Sequence, residues 1–216
     1  MEIVLYNYFR SSASYRVRIA LNLKQLDYEY RPVHLTRAGG EQFAPEFRTL
    51  NPQSLVPVLE HRGKRLTQSL AILEYLEDVW PEPALLPKAA AERARVRALA
   101  LAVACEIHPL NNLRVLHYLS GTVGAPTAVK DDWYRHWVTL GLEALERELG
   151  DGARTAEFCH GSAPTIADCC LIPQLFNARR FACDLSSYPT LLAIEQHCLA
   201  LPAFRDAAPE RQPDAE

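Results

Sequence analysis

Three serines, Ser11, Ser12 and Ser14, lie between a short apolar run, Ile3-Val4-Leu5-Tyr6, and an uninterrupted stretch from Tyr15 to Lys24 rich in Val, Ile, Ala and Leu. The first run reads as a strand and the second as a helix, so the hydroxyls fall at a helix start. Unpaired N–H groups there, with the positive end of the helix dipole, favour a negative group to which a hydroxyl can also donate a hydrogen bond. A thiolate would suit such a place. The serines can equally be caps and nothing more, a role Ser often takes. Gln68-Ser69 repeats the arrangement ahead of the apolar positions Ile72, Leu73, Leu76, Val79 and Trp80, and could take a carboxylate or again only cap. Between the two, Pro57 sits among Val56, Val58 and Leu59, where a missing N–H is hard to place in a sheet. A cis bond at Pro57 would turn the Val56 peptide outward as an edge for an extended peptide. Two serine-bearing helix starts and an edge at Val56 together point to a small anionic peptide.

The elements that must hold these groups alternate over the first 80 residues. A strand at Ile3–Tyr6, a helix over Tyr15–Lys24 and a strand at Tyr28–Val33 form a crossover unit with parallel strands. A short helix at Gln42–Arg48 follows. Leu55–Glu60 and Arg65–Thr67, joined through His61-Arg62-Gly63-Lys64, read as a hairpin, and Ser69–Trp80 as a third helix. Pro81-Glu82-Pro83 and Pro87 mark a linker over 81–87. Beyond it, helices are expected near Ala91–Leu119, Pro126–Leu149, Thr165–Phe181 and Pro189–Leu199, with a loosely held polar tail. The expected class is an α/β domain over 1–80, with a mixed four-stranded sheet, and an all-helical domain over 88–216.

Composition narrows the function. The 216 residues are 49% hydrophobic with a net charge of −3, enough for a full core and no footprint for nucleic acid. Nineteen of the 23 basic residues are Arg, the better carboxylate clamp. The start resembles no signal peptide and no run would span a membrane, so a cytoplasmic protein is expected. Six cysteines, all in the second half, include no C-x-x-C pair and no zinc-like spacing. Reduced core thiols and no metal follow, and Cys169 and Cys170 need no redox role. Thr165-Ile166-Ala167-Asp168 has the form of a capping box, to which Asp168 is assigned.

Over essentially its whole length the chain resembles the zeta-class glutathione transferases, the family of maleylacetoacetate isomerases and the related maleylpyruvate isomerases. The matching segments are Tyr8-Phe9-Arg10-Ser11-Ser12-x-Ser14-Tyr15-Arg16-Val17-Arg18-Ile19-Ala20-Leu21, Leu50-Asn51-Pro52-Gln53, Val56-Pro57, Gln68-Ser69-Leu70-Ala71-Ile72, Pro173-Gln174 and Arg180-Phe181. The resemblance implies a thioredoxin-like domain followed by a helical one, a homodimer, and glutathione as a regenerated cofactor. Ala13 departs from the family, many members of which carry cysteine there. No protein thiol can act at that position, and the hydroxyl must come from Ser11 or Ser12.

Isomerising a cis double bond between carbonyls needs that bond made temporarily single, which conjugate addition of a thiolate does. A helix N-terminus and a hydroxyl raise the thiolate fraction of a thiol whose ordinary pKa is about 8.5. Developing negative charge and substrate carboxylates call for cations, for which Arg10 and Arg180 are the candidates and Arg179 the lesser neighbour. By the resemblance Ser11, Ser12, Ser14, Gln42, Val56, Gln68 and Ser69 hold glutathione. His108 and Asn112, four apart on one helical face, would join them, with Pro109 expected to kink the helix. His34 is a weaker match than Gln42 for the glycyl end. The expected activity is isomerisation of maleylacetoacetate to fumarylacetoacetate in tyrosine, phenylalanine or related aromatic catabolism. Maleylpyruvate isomerisation in the gentisate pathway and glutathione conjugation are alternatives within the class. A non-catalytic glutathione-fold binding module is the alternative outside it.

Overall fold

A computed structural model describes residues 3–216, which divide into two compact units: 3–85 with 199–216, and 86–198. In the first, β1 (Ile3–Asn7), α1 (Ser12–Leu23) and β2 (Glu29–Pro32) form the crossover, with Leu5 opposite Tyr30 in a parallel pair. After α2 (Pro45–Leu50), β3 (Val58–His61) and β4 (Lys64–Thr67) make the hairpin, and α3 (Ser69–Val79) follows. The strand order is β2-β1-β3-β4, with both later pairings antiparallel. β3 opens three residues later than the apolar run suggested. Pro57 has no N–H to donate, so the ladder begins at Val58 and Val56 stays outside it; the Val56–Pro57 bond is cis.

Leu5, Leu59, Ile72, Leu73 and Leu76 are fully buried, from the sheet and α3. Each such side chain stabilises the fold by about 1.5–3 kcal/mol. Lys24, at the end of α1, is buried too, and its ammonium meets Glu77 Oε2 at 2.8 Å and the carbonyls of Trp80 and Pro83.

The tail is not loose. Leu199–Glu216, expected with the helical domain, belongs to the first unit, where α9 (Pro202–Asp206) packs on α1. Tyr15 Oη donates to Phe204 O, Arg18 Nε to Ala207 O and Asn22 Nδ2 to Ala203 O.

The second unit is helical: α4 (Ala90–Leu101), α5 (Leu113–Gly121), α6 (Thr127–Gly150), α7 (Ile166–Arg180) and most of α8 (Pro189–Ala200). The single helix expected over 91–119 is broken. Ala102–Ile107 forms a π-helical segment and His108–Asn111 a 3-10 turn. Pro109 cannot donate and its ring crowds the carbonyl four residues back, which ends the regular helix. No helix among the described residues is long and apolar enough to cross a membrane.

Candidate functional site

In the first unit the site is built around the corner that leads from β1 into α1. Ser11 caps the helix, its Oγ accepting the Ser14 N–H at 3.2 Å while its own N–H donates to Tyr8 O at 3.0 Å. Capping uses Ser11 as an acceptor only, and its hydroxyl proton remains available. α1 starts at Ser12 rather than Tyr15, so the N–H groups of Ser12 and Ala13 occupy the first turn, where no intrahelical acceptor exists. Ser11 is half-buried, whereas the hydroxyls of Ser12 and Ser14 are fully enclosed and without partners. The three serines are therefore not equivalent, and Ser11 presents its hydroxyl at the surface.

Sequence reasoning gave no role to Arg18, although a cation inside an apolar helix was the available signal. It is fully buried, with Nη2 donating to Phe9 O at 2.9 Å and Nη1 to Asn7 Oδ1 at 2.9 Å and Tyr8 O at 3.4 Å. Burial lowers its pKa from the ordinary guanidinium value. Arg18 thus fixes the carbonyls of the corner that carries Arg10 and Ser11. The half-buried Arg10 sets its guanidinium 5.3 Å from the Phe9 ring centre and 5.8 Å from that of Tyr8.

Val56 packs in one cluster with Tyr8, Phe9, Val33, Phe47 and Val58, which brings the expected peptide edge to the same corner. α3 is tied to α1 by Arg16, whose Nη1 donates to Ser69 Oγ at 3.1 Å. Gln68, just before α3, adopts φ +67°, a conformation costly for a side chain of its size, and its Nε2 donates to Gln53 Oε1. Its side chain caps nothing and is exposed. The buried Gln42 donates to Leu35 O and leaves Oε1 unpartnered. Gly40 lies against it at φ +109°, where any Cβ would come within 2.6 Å of the Gln42 amide. His34 is engaged elsewhere: Nδ1 accepts the N–H groups of Thr36 and Arg37, and Nε2 meets Glu216 Oε1 at 3.1 Å.

Tyr8, Ser12, Ser14 and Gln42 keep enclosed, unpartnered polar atoms at this corner, while the half-buried Ser11 carries the hydroxyl that a peptide ligand can reach. Two helix N-termini fit its carboxylates. No group of residues among those described could hold a metal ion.

In the second unit the structure corrects the expectation that His108 and Asn112 share a helical face. His108 lies at the junction of the π segment and the 3-10 turn, while Asn112 is extended, at φ −68° and ψ 148°, and caps α5 through Oδ1 on the Arg114 N–H. Gly141 of α6 fits tightly against Ile107, where a Cβ would meet Cγ1 at 2.3 Å. That close approach locates the backbone at His108. Arg179 is taken up by a two-pronged pair with Glu195, its Nη2 reaching Oε2 at 2.6 Å. Arg180 is exposed at the end of α7, 5.8 Å from the Phe181 ring centre, and that ring stacks on Tyr134 at 3.5 Å. Burial raises the Tyr134 pKa and keeps its phenol neutral.

Thr165 and Asp168 form a complete capping box, as expected. Asp168 also accepts the Cys159 N–H at 2.8 Å, and burial raises its pKa despite these hydrogen bonds.

The family described as Glutathione S-transferase, N-terminal domain, matches residues 1–78, and Glutathione S-transferase, C-terminal domain, matches 140–206. A protein of Vibrio cholerae named Probable maleylacetoacetate isomerase is 54% identical over 215 residues, covering 100% of this chain and 99% of its own. Among solved structures, a holo maleyl pyruvate isomerase, a bacterial glutathione transferase of the zeta class, superposes with a TM-score of 0.96. It is 48% identical over 99% of this chain and 100% of that one. A maleylacetoacetate isomerase from Anaeromyxobacter dehalogenans with bound GSH in the active site has a TM-score of 0.88 and 49% identity, covering 100% of this chain and 98% of that one.

Proposed function

We propose, for a chain that belongs to the zeta class of the glutathione S-transferase family, that it is a glutathione-dependent cis-trans isomerase converting maleylacetoacetate to fumarylacetoacetate. The observation that carries this reading is Ser11, a half-buried helix cap whose oxygen is occupied as an acceptor and whose proton can be donated to a thiolate. When bound, glutathione supplies the thiolate that makes the cis double bond transiently single and leaves unchanged. Ser11 and the first-turn N–H groups of Ser12 and Ala13 hold that sulfur ionised. Val56 offers its backbone to the cysteinyl residue, Gln68 and Ser69 with the N-terminus of α3 take a carboxylate, and Gln42 serves the glycyl end. His108 and Asn112 belong to the same binding set. Arg10 and Arg180 pair with substrate carboxylates and with the charge that develops during reaction.

This reading carries with it a homodimer in the cytoplasm, a regenerated cofactor and a place in aromatic catabolism. Its test is the loss of maleylacetoacetate absorbance with purified protein, with and without glutathione. Glutathione-dependent turnover is the expected result. Maleylpyruvate, run in parallel, tests the second reading that the similarity to a maleyl pyruvate isomerase favours, and the larger kcat/KM names the substrate. Glutathione binding with no turnover of either compound would sink the isomerase in favour of a conjugating transferase or a binding module. Size-exclusion chromatography with light scattering checks the dimer.

A further inference from the structure

The corner that carries Arg10 and Ser11 is gripped from two directions. Arg18 holds its carbonyls, as described. From the other side the half-buried carboxylate of Asp214 accepts the Phe9 N–H at Oδ2, 3.2 Å away, and at Oδ1 a short hydrogen bond from the Tyr30 hydroxyl of β2. The peptide groups on both sides of Phe9 are thus fixed, one through its N–H and the other through its C=O. Asp214 is itself held in place by its surroundings. Gln212, buried, donates from Nε2 to the carbonyls of Asp206 and Ala208, each at 2.8 Å, and the Ala215 N–H donates to Gln212 O. Two residues on, Glu216 reaches His34 Nε2 at 3.1 Å and Arg37 Nη2 at 2.9 Å. Asp214 also sets a negative charge toward the buried Arg18 guanidinium and so offsets part of its desolvation.

We infer that Asp214 is a positioning residue of the glutathione site, fixing the Phe9 peptide so that the Ser11 hydroxyl meets the bound sulfur. The inference rests on the glutathione reading above, and its own content is the link from Asp214 through Phe9 to Ser11. A polar side chain far along the chain, with no motif around it, would then set the acidity of the bound thiol without touching it. A displacement of a fraction of an ångström at a charge-stabilising donor is enough to weaken it.

The test compares Asp214→Ala, Asp214→Asn and Tyr30→Phe with the unaltered protein. Asparagine keeps one oxygen that can accept the Phe9 N–H, and Tyr30→Phe leaves the Phe9 contact intact. Two readouts are used: hydrogen exchange of the amides over 9–14 without ligand, and the pH titration of the thiolate absorbance of bound glutathione. For Asp214→Ala the expected results are exchange at least ~10-fold faster over 9–14, and a bound thiol pKa raised by about one unit, ~10-fold less thiolate. Asp214→Asn should recover most of both, and Tyr30→Phe should change each by less than ~3-fold. Normal exchange and normal thiol ionisation in a folded Asp214→Ala protein would overturn the inference, as would Tyr30→Phe reproducing the full effect. Should Asp214→Ala fail to fold, Asp214→Ser, too short to reach Phe9, takes its place with the same expectations. Absence of any thiolate signal from the unaltered protein would instead strike the glutathione reading, and the exchange comparison would then decide the inference alone.

Discussion

At the scale of single residues, Ser11 and Ser12 differ in what their hydroxyls can reach. Ser11→Ala removes the side-chain hydroxyl presented beside the first-turn N–H groups, and a comparable donor lost from a charge-stabilising site lowers kcat by roughly 10²–10³-fold. It also removes a cap, costing about 1 kcal/mol, so thermal melting should be recorded beside the kinetics. Ser12→Ala deletes an enclosed hydroxyl with no partner, so activity should stay within a few-fold and stability should hold or rise slightly. Equal losses of kcat in both variants would contradict the assignment to Ser11. The two arginines of α7 separate in the same way. Arg180→Ala should raise KM for the maleyl substrate by roughly 10–100-fold, the worth of a charged hydrogen bond of ~1.5–3 kcal/mol. Arg179→Ala, losing its pair with Glu195, should leave KM nearly unchanged.

At the scale of elements, sheet, crossover and hairpin were legible because periodicity, Gly63 and the prolines are local signals, and the helix starts at Ser11 and Ser69 followed from the same reasoning. An interruption at Pro109 was legible as well, but the π-helical form of Ala102–Ile107 was not, and there α6 approaches so closely at Gly141 that Ile107 occupies the space of a side chain. Gly141→Ala should therefore destabilise the protein by about 1–3 kcal/mol and move His108, raising the glutathione KM if that residue binds it. Adding Ile107→Ala should restore part of the loss, and a double-mutant cycle showing no coupling would refute the contact. The capping box was legible to the residue, but the burial of Asp168 was not, since the Cys159 loop that covers it is set by packing. With its folded pKa raised above 3.8, the unfolded chain gives up this proton first, so stability falls as pH rises from below that value through the folded pKa. Urea denaturation between about pH 3.5 and 7 should show that decline in the wild type and its absence in Asp168→Asn.

At the scale of the whole molecule the chain begins in one unit, builds the second, and returns to complete the first. Nothing local in Leu199–Glu216 announced that return, because the features it satisfies belong to α1: the Arg18 guanidinium, the Tyr15 hydroxyl and the Asn22 amide all donate to its backbone carbonyls. Phe204 and Ala207, fully buried, add apolar surface to the same core. Losing a buried Phe costs about 3–5 kcal/mol, and leaving a buried charged donor short of an acceptor about 1–3 more. The sum is comparable with the ~5–15 kcal/mol net stability of a typical domain. A chain ending at Cys198 should accordingly lose the cooperative melting of the first unit and its glutathione binding together, while the helices of 86–198 still give a helical circular-dichroism signal. Supplying 199–216 as a separate peptide should recover binding only at high peptide concentration, since the covalent link no longer sets the effective concentration. A truncated chain that bound glutathione with undiminished affinity would show that the first unit closes without its last segment, and that Arg18 finds its acceptors within β1 and the corner alone.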